Sequence, residues 1–419
     1  MEPLYLLSER RDVGVEGYPE RKMRSIDMTE ESYVIESLRT PLGSFGGELS
    51  DVEAPRLAAV VIRELLKRSG LGGEAIDEVI IGQVLAGGAG QAPARQAMRY
   101  ADLPDNIPAM TINKVCGSGL KAIMLGAGSI RLGDAGVVIA GGMENMSLAP
   151  YILNKGRYGY RMGNGELIDL LVHDGLLDPY SGNHMGVIAE ATTEKHGITR
   201  EEQDAFAVSS YQRAQAAVKG GVFRDEIVQV VKKGRKGEIV ICDDEEPFKV
   251  DFDKLAALRG AFKKDGTVTA GNASTINDGA ALTLLAGGEA VKKYGLKPKA
   301  RLVAYASNSM HPDQFTEAPV GAIKKALAKA GLKAGDIDLY EINEAFAAVT
   351  LLAIKQLGLD VDKINVNGGA VAIGHPLGAS GGRLAATLVR ELQKRQARYG
   401  LATLCIGGGE AVAVIFERI

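Results

Sequence analysis

Four glycine-rich segments each carry one side chain suited to covalent or proton-transfer chemistry. They are Cys116 in NKVCGSG, Asn343 in EINEAFAA, His375 in GGAVAIGHPLGASGG and Cys405 in ATLCIGGGEA. A thiol directly before Gly-Ser-Gly and an apolar helical run stands where helix N–H groups and the helix dipole favour a thiolate. That makes Cys116 a candidate nucleophile. A second thiol and an imidazole can take and return protons, and an amide offers a neutral hydrogen-bond donor. Each residue also has an ordinary reading. Cys116 and Cys405 can be buried fillers, because free cysteines are more often inert than reactive. His375 before proline can be a satisfied loop histidine, and Asn343 can cap a helix starting at Glu344. Cys242, in IVICDDEE, has no such company and reads as structural.

Three of these side chains fall at or just after a predicted strand end, where open α/β sheets build binding crevices. His375 instead precedes a helix start. Strands are expected at SYVIES (32–37), DEVIIG (77–82), AMTIN (109–113) and AGVVIAGG (135–142). Helices between them place Leu57, Val61 and Leu65, then Leu120, Ile123, Ala127 and Ile130, on single faces. An irregular stretch, 148–273, holds a helix at 200–219 and the basic turn KKGRKGE (232–238). The alternation then resumes with RLVAYAS (301–307), DLYEIN (338–343), INVNGG (364–369), LATLCIGGG and AVAVIFE. Continuous apolar strands alternating with helices predict a mainly parallel sheet covered on both faces. Segments 116–145 and 378–411 share a Ser-Gly helix start, an amphipathic helix, a buried strand and a glycine pair. The second has about four more residues between helix and strand. This pattern points to a duplication with an insertion in the first half.

At 419 residues the chain exceeds the size of one ordinary core. Its 53 glycines, about one residue in eight against a usual ~7%, imply many close backbone approaches. A net charge of −3 gives no electrostatic case for nucleic acid or an anionic membrane. No apolar run approaches the ~18–20 residues of a membrane span. Three scattered cysteines suit a reducing, cytoplasmic compartment, and five dispersed histidines without CxxC or HExxH argue against a metal site. The first 27 residues mix acids and bases without an apolar core. They read as neither signal nor transit peptide, and Met28 is a candidate start.

The motifs CGSGLKA, GGMENMS, HMG, TAGNAS…NDGAA, NEAFA, GGAVAIGHPLGASG and CIGGG follow one another from about residue 31 to the C-terminus. In that order they resemble the thiolase family, specifically its biosynthetic acetoacetyl-CoA type (acetyl-CoA C-acetyltransferase). The resemblance implies an α/β fold of duplicated αβα halves forming a five-layered αβαβα core. It divides the chain into an N-terminal extension (1–27), an N-terminal half (28–147, completed by part of 274–297), an inserted loop domain for CoA binding (148–273) and a C-terminal half (274–419). The implied activity is the reversible Claisen condensation of two acetyl-CoA to acetoacetyl-CoA plus CoA, through an acyl-cysteine intermediate.

In that chemistry Cys116 takes the acyl group, His375 supports its deprotonation, and Cys405 is the second acid/base. His375 and a water held by Asn343 stabilise the enolate; backbone N–H groups of Cys116 and Gly407 form the other oxyanion hole. Leu176, His184, Met185, Phe262 and Ser274 match residues of the pantetheine and acyl channel, as do Ala345 and Phe346 in NEAFA. Phe315, in QFTEAPV, stands where short-chain members often carry methionine and implies tolerance of a 2-methyl branch. Lys232, Lys233, Arg235 and Lys236 offer charge to nucleotide phosphates, or form a solvated hairpin tip. KGRYGYRMGNGELIDLL resembles the loop that joins thiolase dimers, implying a homo-oligomer built as a dimer of dimers. The implied partners are acetyl-CoA, acetoacetyl-CoA and CoA, with no tightly bound cofactor, no nucleic acid and no membrane. The alternative within the family is a degradative 3-ketoacyl-CoA thiolase acting on longer chains. A ketoacyl synthase would carry histidine in place of Cys405, and a cysteine-hydrolase triad leaves Cys405 without a task.

Overall fold

The computed structural model describes residues 30–419, so the expected extension 1–27 lies outside the described residues. Nine strands build the main sheet: β1 (Ser32–Arg39), β2 (Glu78–Gly82), β3 (Ala109–Ile112), β4 (Val137–Asn145), β5 (Asn277–Gly287), β6 (Ala300–Ser309), β7 (Leu339–Ile342), β8 (Tyr399–Ile406) and β9 (Glu410–Arg418). Their order is β7-β8-β9-β6-β1-β5-β4-β2-β3, and the two-residue strand Gly43–Ser44 pairs beside β5. The principal helices are α1 (Ala54–Ser69), α2 (Ser118–Leu132), α3 (Met185–His196), α4 (Arg200–Lys219), α5 (Ala318–Ala330), α6 (Ala347–Leu357) and α7 (Ser380–Arg395).

The duplicated pattern reappears in the topology. From outer edge to joint the first half runs β3-β2-β4-β5-β1 and the second β7-β8-β9-β6. Ile364 bridges Tyr340 where the first half has β3. The halves join where β1 and β6 pair antiparallel, Tyr33 to Arg301 and Val34 to Ala300.

Three expectations need correction. The sheet is mixed, not mainly parallel: β2–β3, β2–β4 and β7–β8 are parallel, whereas the pairings from β4 through to β8 are antiparallel. Burial of both faces made the strands continuously apolar, whatever their direction. Every residue of β4 and β5 is buried. INVNGG forms no strand beyond the Ile364 bridge. Asn365, at φ 44°, turns its amide onto the backbone of Ile342, accepting from its N–H and donating to its C=O at 2.8 Å each. A side chain thus occupies the positions a ladder would need. Finally, α2 and α7 start equally far ahead of their strands, at 118 for 137 and 380 for 399. The extra residues of the second copy lie inside β8, on the way to its glycines.

Helices and sheet form five layers. Leu57, Val61 and Leu65 of α1 pack on Ile81, Ile139 and Leu282 of the first-half sheet. Leu120 and Ile123 of α2 and Leu384 and Leu388 of α7 share one core with Val138, Leu285, Leu404 and Phe416, from both halves. Ile323 and Leu327 of α5 close the far side on Leu401, Ala413 and Ile415. Pro55 opens α1, and Gly70 at φ 72° ends it in a left-handed cap.

Segment 148–273 packs around this core. Thr199 and Glu202 form a capping box that starts α4. The basic turn is the tip of the hairpin Val230–Gly234/Gly237–Ile241, where Lys232 pairs with Asp51 at 2.6 Å. Fully buried Arg39, at the end of β1, holds Glu226 at 2.6 Å and Asp244 at 2.7 Å, tying the segment to the first half. No helix among the described residues is long and apolar enough to cross a membrane.

Candidate active site

Cys116 lies on the turn between β3 and α2. Gly117 is the N-cap and Ser118 the first helical residue, so the thiol sits just outside the helix start. The preceding Val115 adopts φ 45°, a strained conformation for a β-branched residue. Asn113 Oδ1 accepts from its N–H at 2.9 Å, and Ser118 Oγ both accepts from the Lys114 N–H and donates to the Val115 carbonyl. Lys114 also pairs with Glu410, beyond the glycines that follow Cys405. The turn is therefore braced from both sides.

Two glycine contacts bring the segment that carries His375 alongside. A Cβ on Gly381 would lie 2.2 Å from the Leu120 nitrogen, and one on Gly119 2.8 Å from the Gly378 oxygen. Only bare backbone allows α2 and α7 to start this close together, and their leading loops carry Cys116 and His375.

His375 is buried. Its N–H donates to Asn277 Oδ1 at 2.8 Å, and its Nδ1 lies 2.6 Å from Ser380 Oγ. Asn343, just past β7, is fully buried with its Nδ2 3.4 Å from His375 Nδ1 and 3.5 Å from Nε2. It caps no helix: α6 begins at Ala347 with Phe346 as its N-cap. Cys405 is the penultimate residue of β8 and buried. The buried-filler reading describes its environment, yet the same sulfur-bearing residue also lines a cavity.

That cavity, of about 210 Å³, collects Cys116, His375, Cys405 and Gly407. Leu176, His184, Met185, Phe262 and Ser274 line it as well, and so do Phe315, Ala345 and Phe346. Asn343 touches the His375 ring and is not among the lining residues. Met146, Gly175, Ala273, Thr275, Ile276 and Leu377 also line it and were not singled out in the sequence. All but Gly175, which precedes Leu176, lie within or beside a quoted motif, so motif adjacency was the available signal. Aromatic rings build one wall. His184 stacks on Phe262 at 4.8 Å, Phe346 meets Phe262 edge-on at 6.0 Å, and Phe315 meets Phe346 at 6.2 Å. His184 also caps α3, its Nδ1 accepting from the Gly186 N–H at 3.1 Å. Cys242 lies exposed beside Asp243, outside the cavity.

The resting site is electrically quiet. Burial pushes the Cys116 thiol up to about 11, although the N–H groups of Gly407 and of Cys116 itself pull the other way. The expected thiolate preference at the helix start is thus outweighed by desolvation. Burial, with Cys116 close by, raises Cys405 well above the ordinary thiol range. Burial, then the Arg383 guanidinium, lowers His375 to about 3. Glu144 is pushed up to about 7 by burial, while its carboxyl accepts from the N–H groups of Val84, Leu85 and Gly378. Two neutral thiols and a neutral imidazole around an apolar channel suit a thioester: charge appears only when a proton moves.

The thiolase N-terminal domain family matches residues 32–289 and the thiolase C-terminal domain family residues 296–418. The chain belongs to the thiolase family. Among its thiolase relatives, an acetyl-CoA acetyltransferase of Chromobacterium violaceum is 54% identical over 390 residues, covering 93% of this chain and all of that protein. The acetyl-CoA acetyltransferase of Pseudomonas aeruginosa is 52% identical over 391 residues, with 93% and 100% coverage. The crystal structure of the Bacillus anthracis acetyl-CoA acetyltransferase superposes with a TM-score of 0.91 at 42% identity, covering 93% of this chain and 99% of that one. The chain therefore shares the fold of a solved relative.

Proposed function

We propose that this thiolase condenses two acetyl-CoA molecules into acetoacetyl-CoA and CoA, and runs the reverse thiolysis. The observation that carries this reading is the meeting of Cys116, His375, Cys405 and Gly407, far apart in sequence, on one cavity of about 210 Å³. Cys116 attacks the first thioester and holds the acyl group; CoA leaves as a thiolate of similar basicity, so the exchange is readily reversible. Cys405 removes a methyl proton from the second acetyl-CoA, and the enolate carbon attacks the acyl-Cys116 carbonyl. His375, with a water held by Asn343, steadies the enolate oxygen. The N–H groups of Cys116 and Gly407 steady the acyl carbonyl, each such donor supporting about 2.7–4 kcal/mol of barrier lowering.

Leu176, His184, Met185, Phe262, Ser274, Ala345 and Phe346 form the pantetheine and acyl channel, supplied by segment 148–273, the adjoining Ser274 and the loop after β7. Phe315, packed on Phe346, limits the acyl end to short chains and tolerates a 2-methyl branch. The small cavity disfavours the longer-chain alternative. CoA thioesters are substrates and no resident cofactor is required. Three free thiols suit a cytoplasmic setting, and the exposed loop around Tyr158 and Met162 joins dimers into a tetramer.

The test is a steady-state assay with acetoacetyl-CoA plus CoA on wild type and Cys405→Ser, with separate acid-quench trapping of Cys116 acetylated directly by acetyl-CoA. The variant is expected to acylate Cys116 yet lose carbon–carbon bond exchange by about 10²-fold or more. Equal loss of both half-reactions would overturn the division of roles.

A further inference from the structure

Hydrogen-bond directions around His375 determine which of its nitrogens carries the proton. Buried Arg383 has only donors to offer. Its Nη1 meets Glu341 Oε2 at 2.7 Å, and its Nη2 approaches Asn343 Oδ1 at 3.4 Å. The Asn343 oxygen must therefore face Arg383, and its NH2 group, again a donor, must face the imidazole. On the other side Ser380 Oγ lies 2.6 Å from Nδ1 and 2.8 Å from the Pro376 carbonyl oxygen. A hydroxyl has one hydrogen, and a carbonyl can only accept. With that hydrogen on Pro376, Oγ must accept from the ring.

We propose that Ser380 is a positioning residue that fixes His375 as the Nδ1–H tautomer, leaving the Nε2 lone pair to take and return the protons of both thiols. The proposal rests on the thiolase chemistry given above and assigns the proton path within it. In acylation, Nε2 takes the proton of Cys116 as sulfur attacks the thioester, then gives it to the departing CoA thiolate. In condensation, Nε2 takes the proton of Cys405, producing a thiolate that removes the methyl proton and becomes a thiol again. The enolate oxygen meanwhile faces the protonated Nε2–H. When the new carbon–carbon bond forms and Cys116 is expelled as a thiolate, that Nε2 proton goes to Cys116. Both thiols and the neutral imidazole are regenerated, and Nδ1–H never moves. The contact from the Asn343 amide, at 3.4 and 3.5 Å, is long enough to yield when a substrate oxygen arrives.

The chain has five histidines, so ¹⁵N spectra of histidine-labelled protein can resolve His375. Free wild-type enzyme is expected to show its proton on Nδ1; a proton on Nε2 overturns the proposal without any variant. Ser380→Ala is expected to shift the ring toward the Nε2–H form and slow both half-reactions by about 10²-fold, with KM for acetoacetyl-CoA within about threefold. Ser380→Thr, which keeps the hydroxyl, restores the tautomer and most of the rate. An Ala variant that keeps Nδ1–H and near-wild-type turnover defeats the proposal. Wild-type protein lacking acetoacetyl-CoA thiolysis would instead sink the proposed activity, and the spectrum alone would decide the tautomer.

Discussion

At the residue scale, reactivity is held back by burial. Cys116 has amide donors at its sulfur and a helix start beside it, yet desolvation still pushes its thiol up to about 11. The sign of the consequence is plain: only thiolate alkylates, so the free enzyme should react slowly with iodoacetamide at pH 7. The rate should climb about tenfold per pH unit to the upper end of the accessible range. A plateau below pH 9 would contradict this. His375, lowered to about 3 by burial and Arg383, stays neutral and should add no step to that profile between pH 5 and 8. The three groups of the reaction were legible in the sequence because each stands in a motif dense in glycine. Ser380, Arg383 and the strained Val115 were not. A serine in a helix start, an arginine on a helix face and a valine in a turn carry no signal of their own. Their roles arise from partners between 2 and 42 positions away.

At the element scale, the site depends on how closely α2 and α7 begin. Gly381 faces the backbone of Leu120 with no room for a methyl group. Gly381→Ala should therefore separate the turn of Cys116 from the loop of His375. Overpacking of this kind costs about 1–3 kcal/mol, and misplacement by about 1 Å can cost about 10²-fold in turnover. Urea midpoint and thiolysis rate measured together should both fall; an unchanged pair would show that the helices part without consequence. Helix positions were readable from apolar periodicity. Strand direction was not, since a strand buried on both faces reads apolar whether its neighbour runs parallel or antiparallel. The missing strand at 364–369 failed for a related reason. Asn365 satisfies the Ile342 backbone with its side chain, a choice invisible to a pattern of apolar residues.

At the scale of the whole molecule, two similar half-sheets join edge to edge through β1 and β6, and the halves fold around a shared helical layer. Outside this core, residues 153–167 are exposed throughout, with Tyr158 91% and Met162 95% accessible. Apolar side chains so displayed suit the tetramer-forming role proposed above. Replacing 154–166 with a short Gly-Ser link should convert tetramers to dimers by light scattering while Cys116 still acylates. A chain that is already dimeric before the change would remove that role from the loop. The sequence by itself determined the family, the order of the reactive segments and the repeat, because close backbone approach demands glycine at fixed offsets from each reactive side chain. Only the tertiary structure decided that the thiols at 116 and 405 share a cavity with His375, that burial keeps all three neutral, and that Ser380 contacts His375 and Arg383 contacts Asn343. Desolvation and hydrogen-bond direction are properties of the assembled surroundings, and no stretch of chain carries them alone.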